Sequence, residues 1–201
     1  MDREQTKGER RKQQVLTLAR RQLIELGIDK LTLRSLADEL GMTLGNLQYY
    51  FPSRDDLLEA VLRAEVATDL SAFRTAIGTG IADTGASEAA DELRNAVTSL
   101  AHRWYALNGS VYLPVAVRAL HDDRSASVIR EIWEQFYAEF TSLVRRVDPE
   151  AGRTEARCRA MLIVTLLDGS SIQSYATSGR LSRRAMAPEL ASAAVRIARG
   201  R

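Results

Sequence analysis

Cysteine occurs once in these 201 residues, at Cys158, and histidine only twice, at His102 and His121. A lone cysteine excludes an intrachain disulfide and suits a reducing compartment. So few thiols and imidazoles, none at ligand spacing, imply no metal site and no cofactor. Missing too are a glycine-rich phosphate loop, a nucleophile elbow and metal-spaced histidines, which argues against an enzyme. The longest strongly apolar run, Met161 to Leu167, is far too short to span a bilayer, so no membrane partner is expected. The N-terminus is charged and has no apolar segment of the secretory kind. The expectation is a cytoplasmic protein.

Alternating strand patterns are absent as well, and what remains is helical almost throughout. At 45% hydrophobic content the chain can bury a substantial core. Leu16, Ala19, Leu23 and Leu26 recur at steps of three and four, and Gly27 stops that helix. Thr32 caps a second helix with Leu33, Leu36, Ala37 and Leu40 on one face, ending at Gly41. Thr43 caps a third, very short helix that Pro52 stops. Ser53 with Asp56 reads as a capping box, the carboxylate one carbon shorter than the usual Glu, and opens a long helix toward Ile77. Composition shifts at Gly78 to Ser87, the candidate flexible connection. Beyond it come a helix through Leu93, Val97, Leu100, Trp104 and Leu107, ended by Asn108-Gly109, and a shorter one near Val111 to Leu120 with Pro114 in its first turn. A broad apolar stripe then runs from Ile129 to Val147, a long helix covers about Gly152 to Thr177, and a last helix is expected to start near Pro188.

Charge is spread unevenly. Residues 1–54 hold ten basic against seven acidic side chains, although the whole chain is only +2. The second and third helices lie three residues apart, joined by Gly41-Met42-Thr43. A helix-turn-helix needs a small residue where its helices cross and one tolerating positive φ in the turn, and Ala37 and Gly41 supply these. Leu47, Tyr50 and Phe51 then point inward, leaving Thr43, Leu44, Gly45, Gln48 and Tyr49 outward. That outward face suits a major groove. Thr43 and Tyr49 are phosphate donors, Gly45 permits close approach, Gln48 can read adenine and Leu44 can touch a thymine methyl. Arg34 and Arg54 add cations at the two neighbouring helix starts, and Arg10-Arg11-Lys12 can lie along the backbone or in a minor groove.

The stretch LTLRSLADELGMTLGNLQYYFPSRDDLLEAVL, Leu31 to Leu62, resembles the helix-turn-helix signature of TetR-type transcriptional regulators. Thr32, Ala37, Gly41, Gly45, Leu47, Tyr50-Phe51 and Ser53-x-x-Asp56-Leu57 carry the match. The resemblance implies an all-α protein with a three-helix DNA-binding head, residues 1–54, and a helical ligand-binding and dimerisation bundle, residues 55–201. It implies a homodimeric repressor on a near-palindromic double-stranded operator, released by a small molecule. By position Thr32, Thr43, Gln48, Tyr49 and Arg54 resemble DNA contacts, chiefly to phosphate. Leu44 departs from the family, where a polar residue is usual.

In the bundle, the small residues Gly169, Ser170, Ser171 and Ser174 permit close helix approach, and the family layout makes the last two helices the expected dimer surface. Trp104, Tyr105, Tyr112, Trp133, Phe136, Tyr137 and Phe140 concentrate aromatic groups, with Arg118, His121, Asp168 and Gln173 as polar groups beside apolar stretches. Facing helices of a bundle commonly enclose such a site. The expected ligand residues are those aromatics with Arg118 and His121, and the expected effector is apolar or aromatic. The alternative is a DNA-binding protein of the same fold with no effector, which a filled core among residues 104–140 would favour over a pocket of several hundred Å³.

Overall fold

Five of the helices open on a residue whose side chain caps the first turn. In the computed structural model residues 6–78, 85–107, 111–176 and 183–201 are described, and their side chains likewise except for 105–107, 174–176 and 183–184. Thr6 opens α1 (Lys7–Leu26): its hydroxyl accepts the Glu9 N–H while the Glu9 carboxylate takes the Thr6 N–H, a reciprocal cap. Gly27, at φ 81°, ends α1, and a 3₁₀ turn, Ile28–Lys30, leads to α2 (Leu33–Glu39). Thr32 caps α2 and Thr43 caps α3 (Leu44–Tyr50). The Ser53–Asp56 capping box starts α4 (Arg54–Ala76). The bundle follows as α5 (Ala86–Leu107), α6 (Leu113–Arg118), α7 (Asp123–Val147), α8 (Arg153–Ala176) and α9 (Arg183–Ala198). There is no strand among the described residues.

One continuous apolar core runs from Val15 in α1 to Ala198 in α9. The head packs α1, α2 and α3 around Leu23, Leu36 and Leu47, and α4 lies against α1 on one side and α5 and α7 on the other. In the bundle α5 lies against α9, and α7 against α8. Arginine–carboxylate pairs bind α4 to α6 and α7. Arg118 pairs with Asp55, Arg124 with Asp56 and Glu59, Arg63 with Glu131, and Arg74 with Glu139. Asp55 and Asp56 also sit in the first turn of α4, where the helix dipole favours negative charge.

Two expectations change. Leu26 is 57% exposed, because Gly27 turns the chain before that residue reaches the core, and Val15, Leu18 and Gln22 are buried instead. Gln22 donates to Glu39 at 2.7 Å and accepts from Ser35, tying α1 to α2. The last helix starts at Arg183 rather than at Pro188. As the sixth helical residue Pro188 forfeits only one intrahelical bond. The expected connection at Gly78–Ser87 and the Asn108-Gly109 stop lie largely outside the described residues.

Candidate nucleic-acid interface and interior cleft

The turn between α2 and α3 is built on Gly41, at φ 61°, and is closed by the Met42 N–H donating to the Ala37 carbonyl at 2.8 Å. Ala37 is buried at the crossing and Leu47 plugs α3 into the core. Phe51 follows, buried, with the Lys12 ammonium 5.8 Å from its ring centre. Everything else on α3 faces outward or skims the surface. Tyr49 is 84% exposed and meets Tyr50 edge-on at 5.3 Å. Gly45 has ordinary helical backbone, and a Cβ added there would touch nothing within 4 Å, so nothing inside the chain calls for glycine at this position. Beside α3, the basic start of α1 forms the far wall of an open concavity of about 1100 Å³, with Lys7, Arg10 and Arg11 facing Thr43, Asn46 and Tyr49.

Inside the bundle a small cleft lies among four long helices and the segment ahead of α6. Leu62, Glu65, Val66 and Asp69 come from α4, Trp104 from α5, Ile132, Trp133 and Phe136 from α7, Asp168 from α8, and Val111 and Tyr112 precede α6. Its free volume is about 30 Å³. Asp69 accepts from Arg103 and, at 2.9 Å, from the Trp104 indole N–H. Burial pushes its carboxyl above the usual range, and these two partners oppose the shift. Glu65 pairs with Arg20 of α1 at 2.6 Å. Asp168 has no such partner among the described residues, and desolvation pushes its carboxyl up to about 7. The Tyr112 hydroxyl is buried without a hydrogen-bond partner. Burial first and the Asp168 carboxylate second push it far above the phenol range, against an opposing effect of nearby Trp133.

Residues 15–61 match the family described as bacterial regulatory proteins, tetR family. Over that stretch the chain is similar to tetR-family regulators. Its fold is shared with a Pseudomonas aeruginosa PAO1 protein proposed as a transcriptional regulator (TM-score 0.76, 18% identity, 98% of this chain and 97% of that one). A TetR transcription regulator from Haloarcula marismortui is similar at TM-score 0.76 and 17% identity, over 92% of this chain and 96% of that one. A Saccharomonospora viridis protein solved in complex with choline is similar at TM-score 0.72 and 20% identity, over 90% and 93%. No protein of curated function matches the chain. The family and these structural relatives are regulators, not enzymes. Among the described residues no helix is long and apolar enough to cross a membrane.

On this fold each expected site residue among those described has a location. Thr32 and Thr43 are exposed caps, accepting the Ser35 and Asn46 N–H groups at 3.0 and 3.2 Å. Arg34, Leu44, Gly45, Gln48 and Tyr49 are all exposed on the same head. Arg54 differs. Its guanidinium turns inward and donates to the Ile28 carbonyl, leaving Nε buried, so it braces the 3₁₀ turn instead of presenting a free cation. Of the expected ligand residues, Trp104, Tyr112, Trp133 and Phe136 line the cleft. Four others with described side chains do not. Phe140 is fully buried edge-on to Phe73 at 4.9 Å. Tyr137 stands outside the lining under the Arg157 guanidinium, 5.6 Å from its ring centre. Arg118 is held by Asp55 and Asp122, and His121 is exposed at the corner between α6 and α7. The Tyr105 side chain lies outside the described residues. Glu65 and Asp69 were missed as lining residues. Asp69 had a visible signal, since it falls on the apolar stripe Leu62, Val66, Phe73 of α4 where a carboxylate needs a reason.

Proposed function

We propose that this chain is a tetR-family transcriptional regulator, a homodimeric repressor whose head, residues 1–54, binds a near-palindromic operator. Its bundle, residues 55–201, pairs the two copies and holds a small-molecule effector that releases the DNA. The carrying observation is the outward face of α3: a glycine that nothing in the chain requires, flanked by exposed Thr43, Leu44, Gln48 and Tyr49 and by the basic start of α1. Phosphate contacts from Thr32, Arg34, Thr43 and Tyr49 position the head, and Gln48 with Leu44 reads base edges. Arg54 serves by holding Ile28 in place. Support for a dimer through the last two helices comes from Met161, Leu162, Leu166 and Ile172 of α8, large apolar side chains 39–55% exposed. Two-fold symmetry would set the reading helices roughly 34–36 Å apart. The reading places the protein in the cytoplasm with its DNA.

An effector in the cleft acts only by favouring one arrangement of head and bundle over another. Glu65 supplies a route, because it lines the cleft and holds Arg20 of α1. The choline-bound relative supports a ligand site in this fold. The small resting cleft, about 30 Å³, favours the second reading, a DNA-binding protein without an effector.

Selection from random duplex DNA, followed by fluorescence anisotropy on the selected site, tests the DNA half. Gln48→Ala is expected to lose discrimination at one or two positions of each half-site, by about 1–3 kcal/mol. An unchanged base preference removes the reading role. If no compound dissociates the operator complex, the effector-free reading stands.

A further inference from the structure

The cleft contains three carboxylates, and only two are compensated. Glu65 has Arg20 and Asp69 has Arg103 with the Trp104 indole N–H. Asp168 enters from α8, half-buried, with no described donor or cation and facing aromatic groups. Beside it the Tyr112 hydroxyl is buried without a hydrogen-bond partner. A lone desolvated carboxylate is costly and recovers that cost by taking a proton or a cation. Around it stand Trp104, Trp133, Phe136 and Tyr112, and the Trp104 and Phe136 rings meet edge-on at 5.3 Å. Indole and phenyl faces attract a desolvated cation. An anion would meet three carboxylates. A neutral apolar body would strip Asp168 of its remaining water and return nothing.

We propose that the cleft takes a small organic monocation, a quaternary or protonated amine with an apolar body, its charge against Asp168 and its substituents on the Trp104, Trp133 and Phe136 rings. This rests on the reading of the cleft as the effector site and replaces the apolar effector expected from aromatic content alone. At rest the cleft has room for about one water molecule. Entry therefore requires displacement of lining side chains. Val111 and Tyr112 are the part of the lining carried by no long helix. The closed state lowers the apparent affinity in proportion to its population.

The chain has two tryptophans, Trp104 and Trp133, and both line the cleft, so intrinsic fluorescence reports on it directly. The full chain is titrated with benzyltrimethylammonium and with neopentylbenzene, its neutral carbon isostere. Saturable binding of the cation is expected, at least tenfold tighter than the isostere. Asp168→Asn is expected to weaken the cation about tenfold and leave the isostere within twofold, while Asp168→Glu retains the preference; thermal melts verify that both variants fold. Equal or tighter binding of the isostere, an unchanged cation affinity in Asp168→Asn, or no binding of the cation overturns the proposal. The operator complex separates the two readings. A cation that binds and leaves DNA affinity unchanged keeps this assignment and removes the effector role. An isostere that binds more tightly than the cation and releases DNA does the reverse.

Discussion

The helix proposed to read DNA, α3, and the packing helix α7 spend their residues in opposite ways. Only Leu47 of the seven residues of α3 is buried, whereas nine of the 25 residues of α7 are. The short helix is too brief to be stable alone and is held by the Thr43 cap, the Gly41 turn, the Leu47 plug and the Phe51 anchor. The site proposed in the head is what remains after packing is satisfied: an exposed face. The site proposed in the bundle is an interruption of the packing itself, where Asp69 and Asp168 stand among aromatic and aliphatic groups that close most of the space.

The contrast breaks most easily in the core. Phe140→Ala is expected to destabilise the fold by about 3–5 kcal/mol, read by denaturant unfolding, since Phe140 is fully buried against Phe73. A loss below about 1 kcal/mol would mean the bundle is looser than its packing.

Asp168→Asn comes next, and its sign is opposite. The folded carboxyl titrates at about 7 against an ordinary 3.8, so the folded chain keeps a proton that the unfolded chain releases between pH 4 and 7. Stability from this group is present below pH 4 and lost as pH rises to 7. The variant is therefore expected to match the parent near pH 4 and to exceed it at pH 8 by up to about 4 kcal/mol. A difference that does not vary with pH would show that the carboxylate is partnered.

Tyr49→Phe should leave the melting temperature unchanged, because Tyr49 is 84% exposed, and weaken DNA binding about three- to tenfold on every sequence. A sequence-selective loss would move Tyr49 from positioning to base readout. The smallest effect belongs to Arg118→Ala. Its pair with Asp55 is 45% and 40% exposed, and about 0.2–1 kcal/mol is expected in thermal melts. Ligand affinity should not change, since Arg118 stands away from the cleft.

The head was nearly all legible beforehand. Thr32, Thr43 and Ser53 cap the helices they were expected to cap, and Gly41 has the positive φ its turn required. The stripe of α7 is buried as its spacing implies. The cleft was legible only in its aromatic half. Trp104, Tyr112, Trp133 and Phe136 line it, while Phe140, Tyr137, Arg118 and His121 do not.

Caps, stops and apolar stripes act within a few residues of chain, so residue order alone settles most of the helices and the helix-turn-helix. The partners of long charged side chains are set by neighbours dozens of positions away. Arg54 finds the Ile28 carbonyl, Arg118 finds Asp55, and Arg20 finds Glu65, 45 residues on. The same holds for absence of a partner. Asp168 is left without a counter-charge among the described residues because α5 and α7 bring aromatic faces to it, while Glu65 and Asp69 of α4 engage Arg20 and Arg103. Spacing along the chain carries no trace of that arrangement, since it arises when four helices pack around one point.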